Sequence, residues 1–527
     1  MKLDRRHWLA GAAGIALSGC TPAVPKPKSD SGTLNASIGL PEPHAIFAPG
    51  GGGSGPGFAG SKVLERLIRL NEDQSFAPVL ATAWRFENDG RDVHFTLRDG
   101  VTWHDGKPLT GADVVWSALN YWKAFSPETL FDFLEGVEAQ GAEVVLRFRI
   151  PLPQQSFLTL LGNGTNYVLP RHLYEGTDIL LNPVNNAPIG TGPWRFSKWV
   201  RGSHAEFARN PTYWAAGQPK TDRLIIRWFR EPASRVAALE TGQVDIAVQS
   251  PAALNDLARL KTNPKLGVGV ETDLGGGGSL YYNTRRPIFD NVKVRQALLH
   301  AIDRDFIART IYAGYGVAAI SPLYSTNTLY FTTDVPRYAF DPRKAEALLD
   351  AAGYPRKADG KRFTAGLLAS GWYEENGKVG AYLKQAFADI GVDVTLTVPD
   401  RANSLKALYS DYDFDIAYSQ AGGSASEPLP ALGLIYSTAG IKKGLNFRNA
   451  SRFSDPQTDR LIQQITVEVD PETRKRLIQD FARRVTEQVP VVPLVEVPPH
   501  YIYQKSVRIG DRGISLTTDS WGDISKS

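Results

Sequence analysis

The side chains best suited to proton transfer are His104 and Asp105, which are adjacent in the chain. An imidazole beside a carboxylate could serve as a general acid–base pair. Both residues lie in the run WHDGKP at 103–108, whose Asp-Gly step and proline are typical of a turn. We therefore predict that the pair holds a turn. By the same reasoning Arg295 is predicted to lie on a helix surface and Asp303 to cap a helix, so neither is predicted to be catalytic.

The sequence contains no other recognisable catalytic or cofactor motif. The patterns Gly-x-Ser-x-Gly, His-Glu-x-x-His and Gly-x4-Gly-Lys-Ser/Thr do not occur. Residues 50–55 match Gly-x-Gly-x-x-Gly, but Pro49 and Pro56 flank them and no strand leads into them, which favours a loop over a dinucleotide site. The eight His residues have no paired spacing for a metal ion. We expect a protein that is not an enzyme and holds neither cofactor nor metal.

The composition is that of a globular protein. The chain has 527 residues, 42% of them hydrophobic and 22% charged, enough for two to four domains with their own cores. Lys plus Arg number 59 and Asp plus Glu 55, so the net charge of +4 gives no support for nucleic-acid binding. The single cysteine, Cys20, excludes internal disulfides, Cys-based zinc sites and thiol catalysis in the folded body.

The elements around His104 follow a clear local pattern. Apolar and polar residues alternate on both sides of Asn88-Asp89-Gly90, which predicts a half-buried hairpin within residues 81–97. After the turn at 103–108, Thr110 stands three residues before Asp113, the spacing of a capping box, and a helix with Val115, Leu119 and Trp122 on one face should follow.

Two further regions read as alternating strands and helices. Residues 223–248 predict a strand, a helix from Pro232 to Gly242 and a returning strand, which implies parallel pairing. Residues 382–418 predict a helix ending at Gly391, a strand from Val392, another helix and a strand from Phe414. Two α/β regions this far apart predict two lobes with a cleft.

The N-terminus reads as an export signal. Residues 1–19 carry charges and then a short apolar run, the pattern of a signal peptide rather than a membrane span. Arg5-Arg6 resembles a twin-arginine signal, and residues 17–20 (LSGC) resemble a bacterial lipobox, in which Cys20 is lipidated. A plain secretory signal with an incidental cysteine is the alternative. Residues 20–32 are predicted to be a flexible tether.

Five stretches together resemble bacterial extracellular solute-binding proteins of the peptide/nickel type, family 5. They are the run from Ala81 through Asp113-Val114, Gly190–Trp194 with Arg209–Trp214, Tyr282–Thr284 with Val294–Arg304, Ala345–Tyr354, and Pro490–Leu494. They occur in the family's order and cover about residues 33–527.

The resemblance implies an α/β, two-lobed periplasmic binding protein type II-like fold, with an extra subdomain in the first lobe. The expected segments are 1–19 signal peptide, 20–32 tether, 33–72 first part of lobe I, 73–189 inserted subdomain, 190–275 second part of lobe I, 276–489 lobe II and 490–527 third part of lobe I.

Ligand contacts are expected from glycine-rich loops and from aromatic and polar residues of lobe II. The expected residues are Gly51, Gly52, Trp372, Tyr373, Gly423, Ser424 and Glu427. In peptide-binding members of the family, an Asp three residues before an acidic residue and Pro holds the peptide's amino group; Ser424 stands there, with Glu427 as a possible substitute. The alternative for Trp372 and Tyr373 is that they pack in the core.

The resemblance implies a monomeric, lipid-anchored receptor of the periplasm or cell envelope that delivers a peptide-like solute to an ABC permease complex. Because Ser424 lacks a carboxylate, an oligosaccharide or other neutral solute is a second hypothesis. A surface interaction or signalling protein on the same scaffold is a third.

Overall fold

A computed structural model describes residues 32–49, 55–71, 73–126, 130–163, 166–229, 231–270, 276–420, 427–510, 514 and 520–527. Within these ranges the strands are β1 (Thr33–Ile38), β2 (Ile68–Leu70), β3 (Phe76–Pro78), β4 (Ala81–Glu87), β5 (Asp92–Leu97), β6 (Leu134–Gln140), β7 (Glu143–Phe148), β8 (Trp194–Val200), β9 (His204–Arg209), β10 (Arg223–Trp228), β11 (Ile246–Val248), β12 (Leu266–Val270), β13 (Gly277–Tyr282), β14 (Val317–Ala318), β15 (Phe363–Ala369), β16 (Val392–Thr397), β17 (Ile416–Gln420), β18 (Val491–Glu496), β19 (His500–Gln504), β20 (Val507–Arg508) and β21 (Ser525–Lys526).

The α-helices in these ranges are α1 (Gly55–Gly60), α2 (Gly111–Trp116), α3 (Lys123–Phe125), α4 (Gln154–Asn163), α5 (Arg171–Tyr174), α6 (Pro232–Glu240), α7 (Leu254–Thr262), α8 (Val292–His300), α9 (Arg304–Phe306), α10 (Pro342–Ala351), α11 (Glu374–Asp389), α12 (Arg401–Leu405), α13 (Leu429–Tyr436), α14 (Pro456–Val467) and α15 (Pro471–Gln488). Segments of π-helix are Ser117–Trp122, Ile307–Ile311 and Lys406–Asp411. Short 3₁₀ segments are Asn88–Gly90, Leu130–Phe133, Pro183–Asn186, Pro287–Asp290 and Thr438–Gly440.

The first large sheet has the strand order β12-β19-β11-β1-β10-β9-β8. The predicted strand–helix–strand unit at 223–248 is present as β10, α6 and β11, and strands β10 and β11 run in the same direction. The two strands do not pair with each other, because β1 lies between them and pairs in parallel with both. Residues of β1 are accordingly buried on both faces, as expected for a central parallel strand.

The second large sheet has the order β14-β18-β13-β17-β15-β16. It repeats the same arrangement, since β15 pairs in parallel with both β16 and β17. Segment 490–527 is predicted to belong to lobe I, but its first strand lies in the second sheet. Strand β18 pairs with β13 and β14 of the second sheet, and the chain returns to the first sheet only with β19 at His500. The pairing of β18 with β13 and β14 places it in the second sheet, and the local pattern of Pro490–Leu494 does not encode that pairing.

A third sheet, β4-β5-β7-β6, belongs to the chain between the first-lobe strands β1 and β8. The predicted hairpin is present as β4 and β5, and Asn88 and Asp89 take positive φ values of 51° and 54° in its turn. Asn and Asp tolerate this conformation better than other non-glycine residues. The capping box of Thr110 and Asp113 is also present at the start of α2.

Motif residues join the segment before the third sheet to the segment after it. The buried Glu65 carboxylate accepts hydrogen bonds from Thr191 Oγ1 (2.8 Å), Tyr213 Oη (2.8 Å) and Trp214 Nε1 (3.1 and 3.2 Å). Position 190 requires glycine, because a Cβ there would lie 1.9 Å from the Val63 carbonyl oxygen. These motifs are therefore structural.

The predictions for Arg295 and Asp303 have different outcomes. Asp303 is a helix cap, since its Oδ1 accepts from the Phe306 backbone N–H at 2.9 Å. The surface position predicted for Arg295 is wrong. Arg295 is buried and donates to four backbone carbonyl oxygens, which belong to Phe289, Asp290, Gln488 and Val489. It therefore joins α8 to the end of α15.

In the ranges that the structure describes, no helix is both long and apolar enough to cross a bilayer. The predicted signal peptide, Arg5, Arg6, Cys20 and nearly all of the tether lie outside the described residues.

Candidate ligand-binding cleft

Two chain segments connect the large sheets, and both join the same kind of edge. Strand β12 runs parallel to β11 and so ends at the carboxyl edge of the first sheet, while β13, antiparallel to β17, begins at the carboxyl edge of the second. The return from β18 to β19 joins these two edges in the opposite direction. Ligands of open α/β sheets bind outside the carboxyl ends of the strands. The crevice between these edges is therefore the candidate site.

On the first-lobe side the backbone at the edge is strained. Gln249 and Ser250 follow β11 and take φ values of 47° and 57°. A Cβ on Gly39, which follows β1, would lie 2.1 Å from the Gln249 carbonyl oxygen. Left-handed conformations cost non-glycine residues about 1–2 kcal/mol each and are concentrated at functional sites. Gly39 is thus required by the path of the chain at the cleft edge.

On the second-lobe side Trp372 and Tyr373 follow β15. Trp372 contacts Phe447 edge-to-face, with ring centroids 5.6 Å apart, and the Arg401 guanidinium carbon lies 4.4 Å from the Trp372 ring centroid. Tyr373 is 41% exposed. Neither aromatic side chain is part of a hydrophobic core cluster, so the alternative that both pack in the core is not what the structure has.

Glu427 lies at the same edge of the second lobe, ahead of α13, and is buried. Its Oε1 accepts from Arg474 Nη2 at 2.8 Å and its Oε2 accepts from Ser156 Oγ at 2.7 Å. Both carboxylate oxygens therefore have protein partners. Arg474 also donates to the Ile465 carbonyl oxygen. The ion pair positions the chain that leads into α13, and Ser156, on α4, reaches it from the other lobe.

The glycine run that begins β13 has a packing role. A Cβ on Gly278 would lie 1.7 Å from Tyr418 Oη, and a Cβ on Gly277 would lie 2.0 Å from the Val495 carbonyl oxygen. Tyr418 Oη in turn lies 3.1 Å from Tyr312 Oη in a buried hydrogen bond. Glycine lets β13 fit closely between β17 and β18 at the point where the chain enters the second lobe.

His104 and Asp105 lie in the predicted turn, in which the Gly106 backbone N–H donates to the Trp103 carbonyl oxygen at 2.8 Å and the Lys107 backbone N–H donates to Asp105 Oδ1 at 3.3 Å. The Gly190 backbone N–H donates to His104 Nδ1 at 3.3 Å, so Nε2 carries the proton and donates to the Gly192 carbonyl oxygen at 2.9 Å. Burial lowers the pKa of His104 to about 4. Asp105 Oδ2 lies 2.6 Å from His172 Nε2. The imidazole is thus fixed in a neutral structural role.

The other predicted site residues, Gly51, Gly52, Gly423 and Ser424, lie outside the described residues. Sequence reasoning did not include Arg401, Ser156 or Arg474 in the site. Arg401 could have been found, because it begins α12 shortly after the end of β16 and the carboxyl ends of parallel strands meet at one edge. Ser156 and Arg474 carry no local signal. Among the described residues, no three His, Cys, Asp or Glu side chains cluster as a metal site.

Comparison with known proteins gives relatives that are named as binding proteins for small solutes. The chain is 27% identical over 436 residues to the glutathione-binding protein GsiB of Pectobacterium atrosepticum, covering 80% of this chain and 81% of that protein. It is 28% identical over 459 residues to the probable di/tripeptide-binding protein 5 of Pseudomonas aeruginosa, covering 82% and 84%.

Among solved structures, NikZ from Campylobacter jejuni in complex with Ni(L-His) has a TM-score of 0.81 and 25% identity, covering 94% of this chain and all of that one. The two-lobed α/β fold is therefore confirmed. The model of the middle part of bacterial extracellular solute-binding proteins, family 5, matches residues 75–443, more than half of the chain. The chain belongs to family 5 of the bacterial extracellular solute-binding proteins.

Proposed function

We propose that this protein captures a peptide or peptide-like solute in the cleft between its lobes and delivers it to an ABC permease complex. The observation that supports this most strongly is that both connecting segments join the carboxyl edges of the two large sheets. Two lobes joined in this way can rotate about the connections and enclose a solute. Enclosure converts occupancy into a shape that a permease can distinguish.

The proposal of a peptide-like solute rests on the named ligands of the relatives and on the side chains at the cleft. One relative is named for glutathione and another for di- and tripeptides. Trp372 and Tyr373 offer aromatic surface, and Arg401 offers a positive charge. Glu427 serves as a positioning residue ahead of α13, because both of its oxygens are engaged.

We further propose that the mature protein begins at Cys20, carries lipid there and works as a monomer at the cell envelope. The chain from Cys20 to the first residue of β1 is too polar to form a core of its own and would serve as a tether.

Mass spectrometry of the protein isolated from its own host tests the proposed ligand class. Native spectra should show a bound mass, and fragmentation of the released compound should give amide-linked amino acids. A released oligosaccharide would contradict the peptide proposal and support the second hypothesis. Deletion of neighbouring permease genes should abolish uptake of the identified compound; unchanged uptake would favour a surface interaction or signalling role.

A further inference from the structure

Strand β1 is the fourth of the seven strands in the first sheet, and it begins at the edge opposite the cleft. Strands β10, β11 and β12 run in the same direction as β1 and also begin at this amino edge, whereas β19 runs against them and ends there. The Gly32 carbonyl oxygen accepts from the Asp222 and Arg223 backbone N–H groups at 2.7 and 3.0 Å. The chain that precedes β1, including Cys20, therefore joins the folded body at the amino edge.

Four exposed basic side chains stand along this edge. Lys220 lies three residues before β10, Lys265 directly before β12 and Lys505 directly after β19. The Lys505 backbone N–H donates to the Lys265 carbonyl oxygen at 2.8 Å, so these two residues are adjacent. Arg508 follows in β20. Because neighbouring strands are about 4.8 Å apart, the four spacings from β12 to β10 give a row about 19 Å wide.

The acidic side chains at this edge have other partners. Ion pairs join Glu206 to Arg223, Asp222 to Arg209, Glu240 to Arg259 and Asp245 to Lys526. The last of these pairs holds β21, and with it the paired strand β20, against the start of β11. Asp523 lies next to Gly510 and forms no ion pair with Arg508. Within the described ranges, none of the four basic side chains forms an ion pair.

We propose that Lys220, Lys265, Lys505 and Arg508 form a basic edge that binds the anionic headgroups of a phospholipid bilayer. The inference rests on the proposed lipid at Cys20. Residues 20–32 span at most about 45 Å when fully extended, so this anchor keeps the basic edge close to the bilayer. A basic surface beside a lipid anchor adds an electrostatic attraction that an acyl chain lacks. The carboxyl edges, where the candidate cleft lies, then point away from this bilayer and stay open to solute.

The test uses the single cysteine of the chain. Protein that begins at Cys20 is coupled through this thiol to one myristoyl chain, which by itself gives only marginal, reversible membrane binding. Sedimentation measures its partition onto vesicles of phosphatidylcholine and onto an equimolar mixture with phosphatidylglycerol. Wild type should bind the anionic vesicles at least about a hundredfold more tightly, since each basic side chain near an anionic surface contributes about fivefold. High salt should remove this preference.

Changing all four residues of the basic edge to Gln should reduce the preference for anionic vesicles to less than about tenfold. The matched control changes three exposed lysines and one exposed arginine of the second lobe to Gln and should keep the wild-type preference. These four residues form no ion pair in the part of the chain that the structure describes; they are Lys293, Arg343, Lys357 and Lys384. Both variants should keep the wild-type midpoint of urea unfolding, because the changed side chains are exposed.

Equal binding of wild type to both kinds of vesicle would overturn the basic edge. An equal loss of preference in both variants would also overturn it, because net charge alone would then explain the binding. Since the acyl chain is attached chemically, either result leaves lipidation in the cell and solute capture in the cleft to be judged by their own experiments.

Discussion

Ser156 and Glu427 form a buried hydrogen bond between the two lobes. Ser156 Oγ, in the first turn of α4, donates to Glu427 Oε2 at 2.7 Å, although the residues are 271 positions apart. Glu427 is held from its own lobe by Arg474. The lobes therefore meet at a polar contact away from the two connecting segments, and this contact can exist only while the lobes are together.

Ser156→Ala should favour the open arrangement of the lobes. The change leaves Glu427 Oε2 without its interlobe donor, at a cost of about 1–3 kcal/mol in the closed form. We expect faster ligand release by stopped-flow fluorescence and a larger radius of gyration by small-angle scattering. Ser126→Ala is the control, because Ser126 Oγ bonds Asn166 Oδ1 within the inserted subdomain. An equal effect of both substitutions would refute the interlobe role.

Glu427→Gln should destabilise the protein more than it alters ligand preference. It leaves the buried Arg474 without a charged partner, which costs about 3–5 kcal/mol for pairs of this kind. Urea unfolding should show this loss, and Glu427→Gln with Arg474→Met should recover part of it. Selective loss of binding to peptides with free amines, at unchanged stability, would instead make Glu427 a ligand contact.

Stability should fall in mild acid because of His104. Burial holds the pKa of folded His104 at about 4, below the ordinary value of 6.5, so the unfolded chain binds more protons between these two pH values. The contribution of neutral His104 to the free energy of unfolding is complete above pH 6.5. It is lost as the pH falls towards 4, and the total loss is about 3 kcal/mol.

His104→Gln isolates this contribution. A glutamine amide can accept from Gly190 and donate to Gly192 without titrating. Burial also lowers the pKa of His300 and His500, so the measurement is the difference between variant and wild type in urea unfolding from pH 7.5 to pH 4. If the difference in free energy of unfolding between variant and wild type did not change with pH, His104 would not be the cause of the loss of stability in acid.

Ser424→Asp should improve the binding of peptides that carry a free amino group. If the ammonium of such a peptide is desolvated beside Ser424, it has no anionic partner from that position, and each 1.4 kcal/mol lost is about a tenfold loss of affinity. Calorimetric titration with a peptide and its N-acetylated form checks this. Submicromolar wild-type binding that disappears on acetylation would show that the amine is already clamped.

Cys20→Ala should release the protein from the membrane. Lipid on Cys20 would provide the attachment, and stable anchoring takes more than one acyl chain. Fractionation of cells should move the variant from the membrane to the soluble envelope fraction. Persistence in the membrane fraction would rule out the proposed anchor.

The sequence by itself determined the local elements. The hairpin turn at Asn88–Gly90, the capping box at Thr110 and the cap at Asp303 depend on residues at most four positions apart, so their types and spacing predict them. The alternation within 223–248 likewise predicted a parallel unit. The five motifs and their order predicted the family, and membership of the family predicted the two-lobed fold.

Only the tertiary structure decided which elements became neighbours. β1 lies between β10 and β11, β18 joins the second sheet, and Arg295 is buried against the end of α15. Arg401 meets Trp372 because the carboxyl ends of β15 and β16 lie side by side, and Ser156 meets Glu427 because the lobes touch. Such contacts join residues far apart in the chain, and packing of whole lobes selects them, so no local spacing encodes them.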